Sequence, residues 1–349
     1  METKVITMDE KSMDKEHIKM AGEVIRLGGL VVFPTETVYG LGANALDVNA
    51  VNKIFTAKGR PQDNPLIVHV AHKNIDNYVV GIPDVASTLI DRFWPGPLTI
   101  ILTKASCIPD VTSAGLQSVG IRMPDNAIAL SLIEAAGVPI AAPSANISGK
   151  PSPTNVARCI EDLNGKVDYI IGGDKSKIGL ESTIIDCTIY PPCVLRPGGI
   201  TLEQLKEVDE NIYIDPYVMK KSELNITPKA PGMKYRHYAP KAPVKIIEGD
   251  LQKTIVKINE MVQNYKEEHK IIGIMATTET FDFYKNELIV SLGSRSDLND
   301  IAKNLFEALR FLDDRQVDLI LCEGFEEIGV GIAIMNRLRK SAGHDIIKV

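Results

Sequence analysis

The strongest constraint on the fold is the regular alternation of short β-rich runs with amphipathic segments through the first two hundred residues. This alternation is typical of an α/β domain, in which helices pack against the faces of a sheet. Apolar periodicity predicts helices that end near residue 27 and near residue 58, with others near 85–93, 127–136, 153–163 and 202–208. Candidate strands lie at residues 30–33, 66–70, 98–102, 119–122, 138–142, 169–171, 182–186 and 194–196.

Capping residues define the second of these helices most sharply. Asp47 is suited to begin it, because an aspartate side chain accepts hydrogen bonds from the first free N–H groups of a helix. Gly59 is placed to end it in a left-handed conformation. Lys58 and Arg60 therefore lie at a helix exit, beside a turn.

One stretch interrupts the alternation. From about residue 211 to residue 243 the periodicity fades, and prolines stand among polar residues and tyrosines, which is typical of a linker. Beyond it, strands and helices alternate again and predict a small open parallel sheet with flanking helices. We therefore expect a first domain at residues 1–210, a linker at 211–243 and a second domain at 244–349.

Length and charge narrow the class of protein. At 349 residues, the chain exceeds the size at which single cores usually stop growing, which favours two domains. The net charge of −6 argues against broad nonspecific affinity for nucleic acid, because neutralising phosphates requires a basic surface. The polar N-terminal segment does not resemble a signal peptide, and no apolar run reaches the roughly 18 residues of a spanning helix. We expect a cytoplasmic protein without a membrane partner.

Several common sites are disfavoured. The run GLGANA at residues 40–45 matches a dinucleotide-binding pattern, but six residues separate it from the preceding strand, whereas that fingerprint begins directly after one. His69 and His72 are spaced to face opposite sides, and the five cysteines contain no Cys-x-x-Cys pair, so we expect no permanent zinc site. No recognisable covalent nucleophile occurs. An enzyme of this sequence is expected to work by positioning and electrostatics.

Polar stretches follow the apolar strands, where open α/β sheets usually place their sites. Any one cation in these stretches, taken alone, is as readily a solvated surface charge as part of a binding site. Together they favour an anion pocket, since guanidinium groups bind phosphate or carboxylate at two points and lysine adds a compact charge. Ser144 and Asn146 would place a hydroxyl and an amide beside it. The cations are Lys58, Arg60, Arg122 and Arg196.

Ser152 and Pro153 together are typical of a helix N-cap followed by proline at the first helical position. Such a helix start leaves backbone N–H groups free to receive a phosphate. Ser152 can equally cap its helix and do nothing more, and the two roles are compatible.

Three motifs resemble a known family when they are taken in combination. PTETVYGLG at residues 34–42, KGRP at 58–61 with NPL at 64–66, and PSAN at 143–146 followed by SG are similar to the YrdC-like enzymes that make threonylcarbamoyl-adenylate. PGMKYRHYAP at 231–240 and the closing domain resemble the longer form of that enzyme. The resemblance spans essentially the whole chain. It implies a twisted mixed-sheet YrdC-like domain plus a smaller Rossmann-like α/β domain.

The resemblance implies an enzyme that combines L-threonine, bicarbonate or CO2, and ATP into threonylcarbamoyl-AMP and pyrophosphate. A separate transferase would then pass the threonylcarbamoyl group to an adenosine next to the anticodon of tRNA, so any contact with tRNA itself is expected to be indirect. The motifs contain no paired carboxylates. We therefore expect Mg²⁺ to arrive with ATP and to be held mainly by phosphate oxygens.

The resemblance also implies roles for individual residues. Arg122 is expected to bind the carboxylate of threonine, and Tyr235 of the linker is expected to close over the nucleotide. The quartet taken as catalytic is Lys58, Arg60, Ser144 and Asn146. The residues expected near ATP are Arg60, Asn64, Ser118, Ser144, Ser152, Arg196 and Tyr235. Those expected near threonine are Thr37, His69, Arg122, Ala142 and Ser182.

Two other functions compete with this one. A noncatalytic RNA-binding module would use the same basic concavity for nucleotides of tRNA, although the acidic total charge counts against it. A carbamoyl-phosphate-dependent transferase, as in larger hydrogenase-maturation enzymes with a related domain, would carry zinc-finger cysteines that this chain lacks. The closing domain shows no motif of its own, and we interpret it as a regulatory or scaffolding module.

Overall fold

The computed structural model describes residues 2–218, 228–231 and 237–349. The chain forms two compact units. Within the described ranges, the first unit contains residues 2–148, 152–218 and 228–231, and the second contains residues 149–151 and 237–349. In the described part of the chain, no helix is both long enough and apolar enough to cross a membrane.

The first unit is a large mixed sheet with helices packed on it. Its described strands are β1 (Lys4–Thr7), β2 (Val31–Phe33), β3 (Gly40–Asn44), β4 (Ile67–His69), β5 (Leu98–Thr103), β6 (Ser118–Arg122), β7 (Ile140–Ala142), β8 (Tyr169–Gly172), β9 (Thr183–Asp186), β10 (Cys193–Arg196) and β11 (Tyr213–Ile214). Its described helices are α1 (Lys15–Arg26), α2 (Val48–Lys58), α3 (Asp84–Phe93), α4 (Asp110–Ser113), α5 (Ala127–Ala136), α6 (Val156–Leu163) and α7 (Leu202–Lys206).

The strands of this sheet follow the order β1-β8-β2-β3-β7-β4-β6-β5-β9-β10-β11. Parallel and antiparallel neighbours alternate in its centre: β4 runs parallel to β6 and antiparallel to β7, while β5 runs antiparallel to β6 and parallel to β9. The sheet is therefore mixed, as the sequence resemblance implied.

The two faces of the sheet are covered differently. One face is apolar along its length and packs with α2, α3 and α6 in a single cluster that includes Val68, Ile100 and Ile121. On the opposite face, α1 and α5 cover the part built by β8, β2 and β7. The part of that face built by β4, β5, β9 and β10 carries a small apolar patch made of Ile67, Ile101, Ile184, Cys193, Leu195 and Ala230.

Local caps explain where the helices begin and end. The Asp47 side chain accepts hydrogen bonds from the N–H groups of Asn49 and Ala50, and Gly59 ends α2 in the left-handed region with φ of 61°. Helix α6 begins three residues later than the interpretation of Ser152 as its cap requires. Its N-cap is Asn155, whose side chain accepts from the N–H of Arg158. The N-cap role of Ser152 was therefore wrong.

The second unit is a smaller sheet in which the strands are all parallel and follow the order β14-β13-β15-β12-β16. Its core joins helix α8 to the strands through Ile258, Ile274 and Leu321. The predicted open parallel sheet is confirmed. The elements are β12 (Val244–Glu248), α8 (Leu251–Glu267), β13 (Ile272–Ala276), β14 (Leu288–Ser291), α9 (Leu298–Asp314), β15 (Leu319–Glu323), α10 (Val330–Ser341) and β16 (Ile346–Lys348), with a 3₁₀ turn at Phe281–Phe283.

Gly198 allows the end of β10 to approach the start of β9. A Cβ at this position would lie 2.5 Å from the Glu181 carbonyl oxygen and 2.5 Å from the Ser182 carbonyl carbon. Both are backbone atoms that cannot rotate away. At Gly199, by contrast, a Cβ would meet only side-chain atoms, with Pro97 nearest at 3.1 Å.

We expect Gly198→Ala to destabilise the first unit by roughly 2 kcal/mol or more, because overpacking against fixed backbone forces the strand ends apart. The measurement is the thermal unfolding midpoint of the full chain. Gly199→Ala is the matched control and is expected to lower that midpoint much less. Equal midpoints for the two variants would contradict the close approach at Gly198.

Candidate functional site

Lys58 is the last residue of α2, and its side chain is buried beneath the turn that follows β7. Its ammonium donates hydrogen bonds to the carbonyl oxygens of Ser144, at 2.5 Å, and of Asn146. It also lies 3.5 Å from Asn146 Oδ1, which accepts from Ser144 Oγ at 2.5 Å. Three of the four predicted catalytic residues therefore form one bonded group.

Arg60, the fourth member, lies on the turn just after α2 and is only partly buried. Its guanidinium donates to the carbonyl oxygens of Asn64, at 3.3 Å, and of Pro65, at 3.1 Å. These bonds place Arg60 at the segment that leads into β4. Asn64 is buried, and its Oδ1 has no hydrogen-bond partner within the described residues.

Strand register places most of the other predicted residues on one face of the sheet. His69 pairs with Arg122, and Ile67 pairs with both Gly120 and Ala142. Since residues two apart in a strand share a face, Ser118, Arg122, His69 and Ala142 all project from the face opposite the apolar core. The pairing of β5 with β6 and β9, and of β9 with β10, continues this face to Ser182 and Arg196.

This shared surface, which we call the site face, has two ends. Arg122 and His69 end their parallel strands at one end. Ser118 begins β6 at the other end, about 13 Å away at the usual strand rise of about 3.3 Å per residue. Asn64 precedes β4, so it lies toward the Ser118 end, and so does Ser144, which follows the antiparallel strand β7. The residues predicted for ATP and for threonine are thus largely separated along the strands.

Arg196 departs from this separation. Its guanidinium donates to the carbonyl oxygen of Ser182 at 3.0 Å and to Ser182 Oγ at 3.0 Å, and Ser182 Oγ also bonds Thr99 Oγ1 at 2.8 Å. Arg196 was predicted for ATP and Ser182 for threonine. The structure brings them into direct contact, and strand pairing places Arg196, through Ile184 and Thr99, level with Arg122 at the end predicted for threonine.

Arg122 faces a carboxylate at its end of the site face. Its NH2 lies 2.6 Å from Glu36 Oε2, and both residues are almost fully buried, at 4% and 3% exposure. Arg122 Nε also donates to the carbonyl oxygen of Gly96 at 3.3 Å. A buried cation at the end of a β-strand suits the predicted contact with a substrate carboxylate.

Glu36 and Thr37 belong to the segment between β2 and β3, which is fastened by backbone bonds. Ile178 N donates to the Glu36 carbonyl oxygen at 2.8 Å, and Gly179 N donates to that of Thr37 at 3.1 Å. The hydroxyl of Thr37 lies 2.8 Å from that of Thr35. The loop therefore holds its conformation without help from the Glu36 side chain.

His69 is buried between Phe33, which meets it edge to face, and the end of β4. Its Nδ1 lies 3.2 Å from the carbonyl oxygen of Ile67. Burial, reinforced by the nearby charge of Arg122, lowers the pKa of His69 to about 3. The ring is therefore neutral at physiological pH and is poorly suited to act as a general base, which supports ranking it as a ligand contact.

Ser152 is buried, and its hydroxyl donates to Glu181 Oε1 at 2.5 Å. It is thus tied to the segment that leads into β9. Tyr235, the predicted lid residue, lies outside the described residues. The nearby described segment 228–231 does contact the first unit: Ala230 is fully buried in the apolar patch, and Lys229 lies 3.2 Å from the buried Asp186.

In the described ranges, no three His, Cys, Asp or Glu side chains form a group that could hold a metal ion. A groove of about 740 Å³ runs along α2. It includes Lys58 and Gly59 in its wall, but none of the other predicted site residues. Its wall is formed by Leu30, Asn49, Asn52, Lys53, Thr56, Ala57, Lys58, Gly59, Ile147, Lys166 and Asp168.

Sequence reasoning missed three polar residues of the site: Glu36, Thr99 and Glu181. Glu36 and Glu181 stand in stretches that the sequence marks as polar strand ends, but their partners lie far away in the chain. The sequence did contain a signal for these two glutamates. A carboxylate among residues that predict an anion pocket would repel the anion, so its presence there indicates some other function.

Comparison with known proteins gives the family. A family model described as telomere recombination matches residues 23–198, and one described as the C-terminal domain of threonylcarbamoyl-AMP synthase matches residues 200–343. The threonylcarbamoyl-AMP synthase of Pyrococcus abyssi is 51% identical over 348 residues, covering 99% of this chain and all of that protein. The chain belongs to the threonylcarbamoyl-AMP synthase family. The threonylcarbamoyl-AMP synthase of Bacillus subtilis is 46% identical over 345 residues, covering 97% of this chain and 97% of that protein.

Solved structures agree with this fold. The Pyrococcus abyssi Sua5 protein complexed with L-threonine superposes with a TM-score of 0.94 at 51% identity, over 99% of this chain and all of that one. The match to Escherichia coli YciO covers 96% of that chain and 56% of this one, at 28% identity and a TM-score of 0.50. The resemblance and the two-part α/β fold are confirmed, and the chain is an enzyme of this family.

The buried ring of His69 should stay neutral over the whole working range of the enzyme. We expect its ¹⁵N resonances, identified by their loss in His69→Gln, to show no titration between pH 5 and pH 9. Because its folded pKa lies below the unfolded value of about 6.5, this group stabilises the fold above that pH. That contribution falls away as the pH drops from about 6.5 toward 3. A midpoint above pH 5 would contradict the burial described.

Proposed function

We propose that the protein joins L-threonine, bicarbonate or CO2, and ATP into threonylcarbamoyl-AMP, releasing pyrophosphate, for modification of tRNA next to the anticodon. A separate transferase is the expected consumer of the product, and contact with tRNA is expected to be indirect. The observation that carries the proposal is the site face, with the bonded group of Lys58, Ser144 and Asn146 toward one end and Arg122 at the other. An ATP phosphate chain and an amino acid carboxylate need separate cationic ends in this way.

The chemistry requires two anions to meet. The neutral amine of threonine adds to CO2 and loses a proton to solvent, which gives a carbamate anion. A carbamate oxygen then attacks the α-phosphorus of ATP, and the bond from that phosphorus to the departing pyrophosphate breaks. Anions repel each other, so catalysis depends on cations that hold both in line. We assign Lys58 and Arg60 to the carbamate and phosphates, Arg196 to the phosphates and Arg122 to the threonine carboxylate.

The remaining residues are assigned to binding and orientation. Around the nucleotide we place Asn64, Ser118, Ser144 and Ser152, and the unpartnered Oδ1 of buried Asn64 supports a role in receiving a donor. Around threonine we place Thr37, His69, Ala142 and Ser182.

Magnesium is proposed to enter as part of the ATP complex. The charged groups that the predicted motifs supply to the site are mainly cations, which suit phosphate oxygens rather than a metal. The ion would neutralise part of the triphosphate charge, while the chain positions the reacting groups.

The linker is proposed to act as a lid. Burial of Ala230 beside Ile67 and Ile101, together with the Lys229–Asp186 ion pair, holds the described residues 228–231 against the site face of the first unit. This supports a contact between Tyr235 and the nucleotide. We propose the division at residues 1–210, 211–243 and 244–349 as catalytic domain, lid and accessory domain, and a cytoplasmic location.

The proposed function is tested by pyrophosphate release from ATP with Mg²⁺ and bicarbonate. We expect release to require both bicarbonate and L-threonine, and to be weak with L-serine or L-valine. Lys58→Ala should lower kcat at least 100-fold, since it removes a charge that the transition state needs and releases the 144–146 turn.

Lys53→Ala is the matched control, because Lys53 lies on the same helix but its ammonium bonds the Gly28 carbonyl oxygen away from the site face. Its kcat should stay within about threefold of the unmodified enzyme. Pyrophosphate release that ignores threonine would point to another acceptor. No release, together with RNA retained at moderate salt, would favour the noncatalytic RNA-binding function.

A further inference from the structure

The carboxylate of Glu36 and the guanidinium of Arg122 are both buried, yet they leave hydrogen-bonding capacity unused. Arg122 NH2 and Glu36 Oε2 lie 2.6 Å apart, but the two groups are not aligned as a hydrogen bond. Within the described part of the chain, neither carboxylate oxygen of Glu36 accepts an aligned hydrogen bond, and Arg122 NH2 donates none. Buried charged atoms normally complete their hydrogen bonds, because leaving them unmet is costly. This pair therefore has acceptors and a donor to offer.

A purely structural role does not account for Glu36. The loop that carries it is already fastened through the carbonyl oxygens of Glu36 and Thr37, which accept from Ile178 N and Gly179 N. Replacing a buried ion pair with apolar groups is often neutral or stabilising, so such a pair by itself is weak evidence of a stabilising role. The Glu36 side chain instead stands beside the arginine proposed to bind the substrate carboxylate.

We propose that Glu36 receives the amino group of the amino acid substrate, while it orients Arg122 for the carboxylate. This inference rests on the proposed function and deepens it. An α-amino acid carries an ammonium and a carboxylate on the same carbon, so an adjacent glutamate and arginine can bind both groups together. Glu36 accepts an N–H from the ammonium on binding. The ammonium releases one proton to solvent before it adds to CO2 and a second as the carbamate forms, and the single N–H that remains can keep the same contact.

The arrangement predicts how the pocket selects its substrate. An α-hydroxy acid offers the same carboxylate to Arg122, but it brings no positive charge to the buried Glu36. Charge-assisted hydrogen bonds are stronger than neutral ones, so the enzyme should discriminate strongly between threonine and its α-hydroxy analogue. Glu36 is thus a specificity residue, and it acts as a positioning residue for Arg122.

The test is calorimetric binding of L-threonine, and of the analogue with a hydroxyl in place of the α-amino group, to the full-length protein without ATP or bicarbonate. Glu36→Gln keeps an amide oxygen that can still accept from Arg122 and so preserves its orientation, but it removes the negative charge. It should weaken threonine binding about 10- to 100-fold and change analogue binding less than threefold. In steady-state assays its KM for threonine should rise while its KM for ATP stays within twofold.

Glu323→Gln is the matched control, because Glu323 is also a buried glutamate with an arginine, Arg295, 2.6 Å away, and it belongs to the second unit. It should leave the preference for threonine over the analogue unchanged. Glu36→Asp keeps the charge but retracts it, and should weaken threonine binding selectively even where Glu36→Gln fails to fold.

The outcomes distinguish a failure of the Glu36 contact from a failure of the proposed function. Equal losses for threonine and for the analogue, or no loss for either, would overturn the amino-group contact. A matching loss of preference in Glu323→Gln would overturn it as well. If the unmodified enzyme binds no threonine, the proposed function itself fails, and this inference fails with it.

Discussion

The hydrogen bonds of the buried Lys58 ammonium join the end of a helix to the turn after a strand, and the rest of the site depends on this junction. A buried ammonium is tolerated only where oxygens satisfy its donors, and the carbonyl oxygens of Ser144 and Asn146 do so. The helix places the lysine there because Asp47 fixes its start and Gly59 its end. One cation therefore fixes the conformation of the turn and supplies charge to the site.

The sheet supplies the second constraint, which is register. A one-residue shift in β4 or β6 would turn His69 and Arg122 into the apolar core, so burial on the other face enforces the pairing that forms the site face. This explains how residues on or beside five strands, β4, β6, β7, β9 and β10, reach one surface. Glu36 lies in the loop between β2 and β3, outside this register, and reaches the same surface beside Arg122.

Much of the fold could be predicted from the sequence because its signals are local. Caps such as Asp47 and Gly59 act within one helical turn, and apolar runs gave most of the strands. Strand β3 was missed because Gly40 and Gly42 look like a loop and become a strand only by pairing with β2 and β7. Ser152 was wrongly predicted to cap α6, because its actual hydrogen-bond partner, Glu181, is 29 residues away in the chain. The roles given to individual site residues remain predictions.

If the two substrates occupy opposite ends of one sheet face, calorimetry on one variant at each end will separate their binding. L-threonine and a nonhydrolysable ATP analogue would each be titrated into Lys58→Ala and Arg122→Ala. We expect crossed losses: Arg122→Ala weakens threonine binding at least tenfold and nucleotide binding little, while Lys58→Ala weakens nucleotide binding at least tenfold and threonine binding little. Both variants losing the same ligand, or both ligands equally, would contradict it.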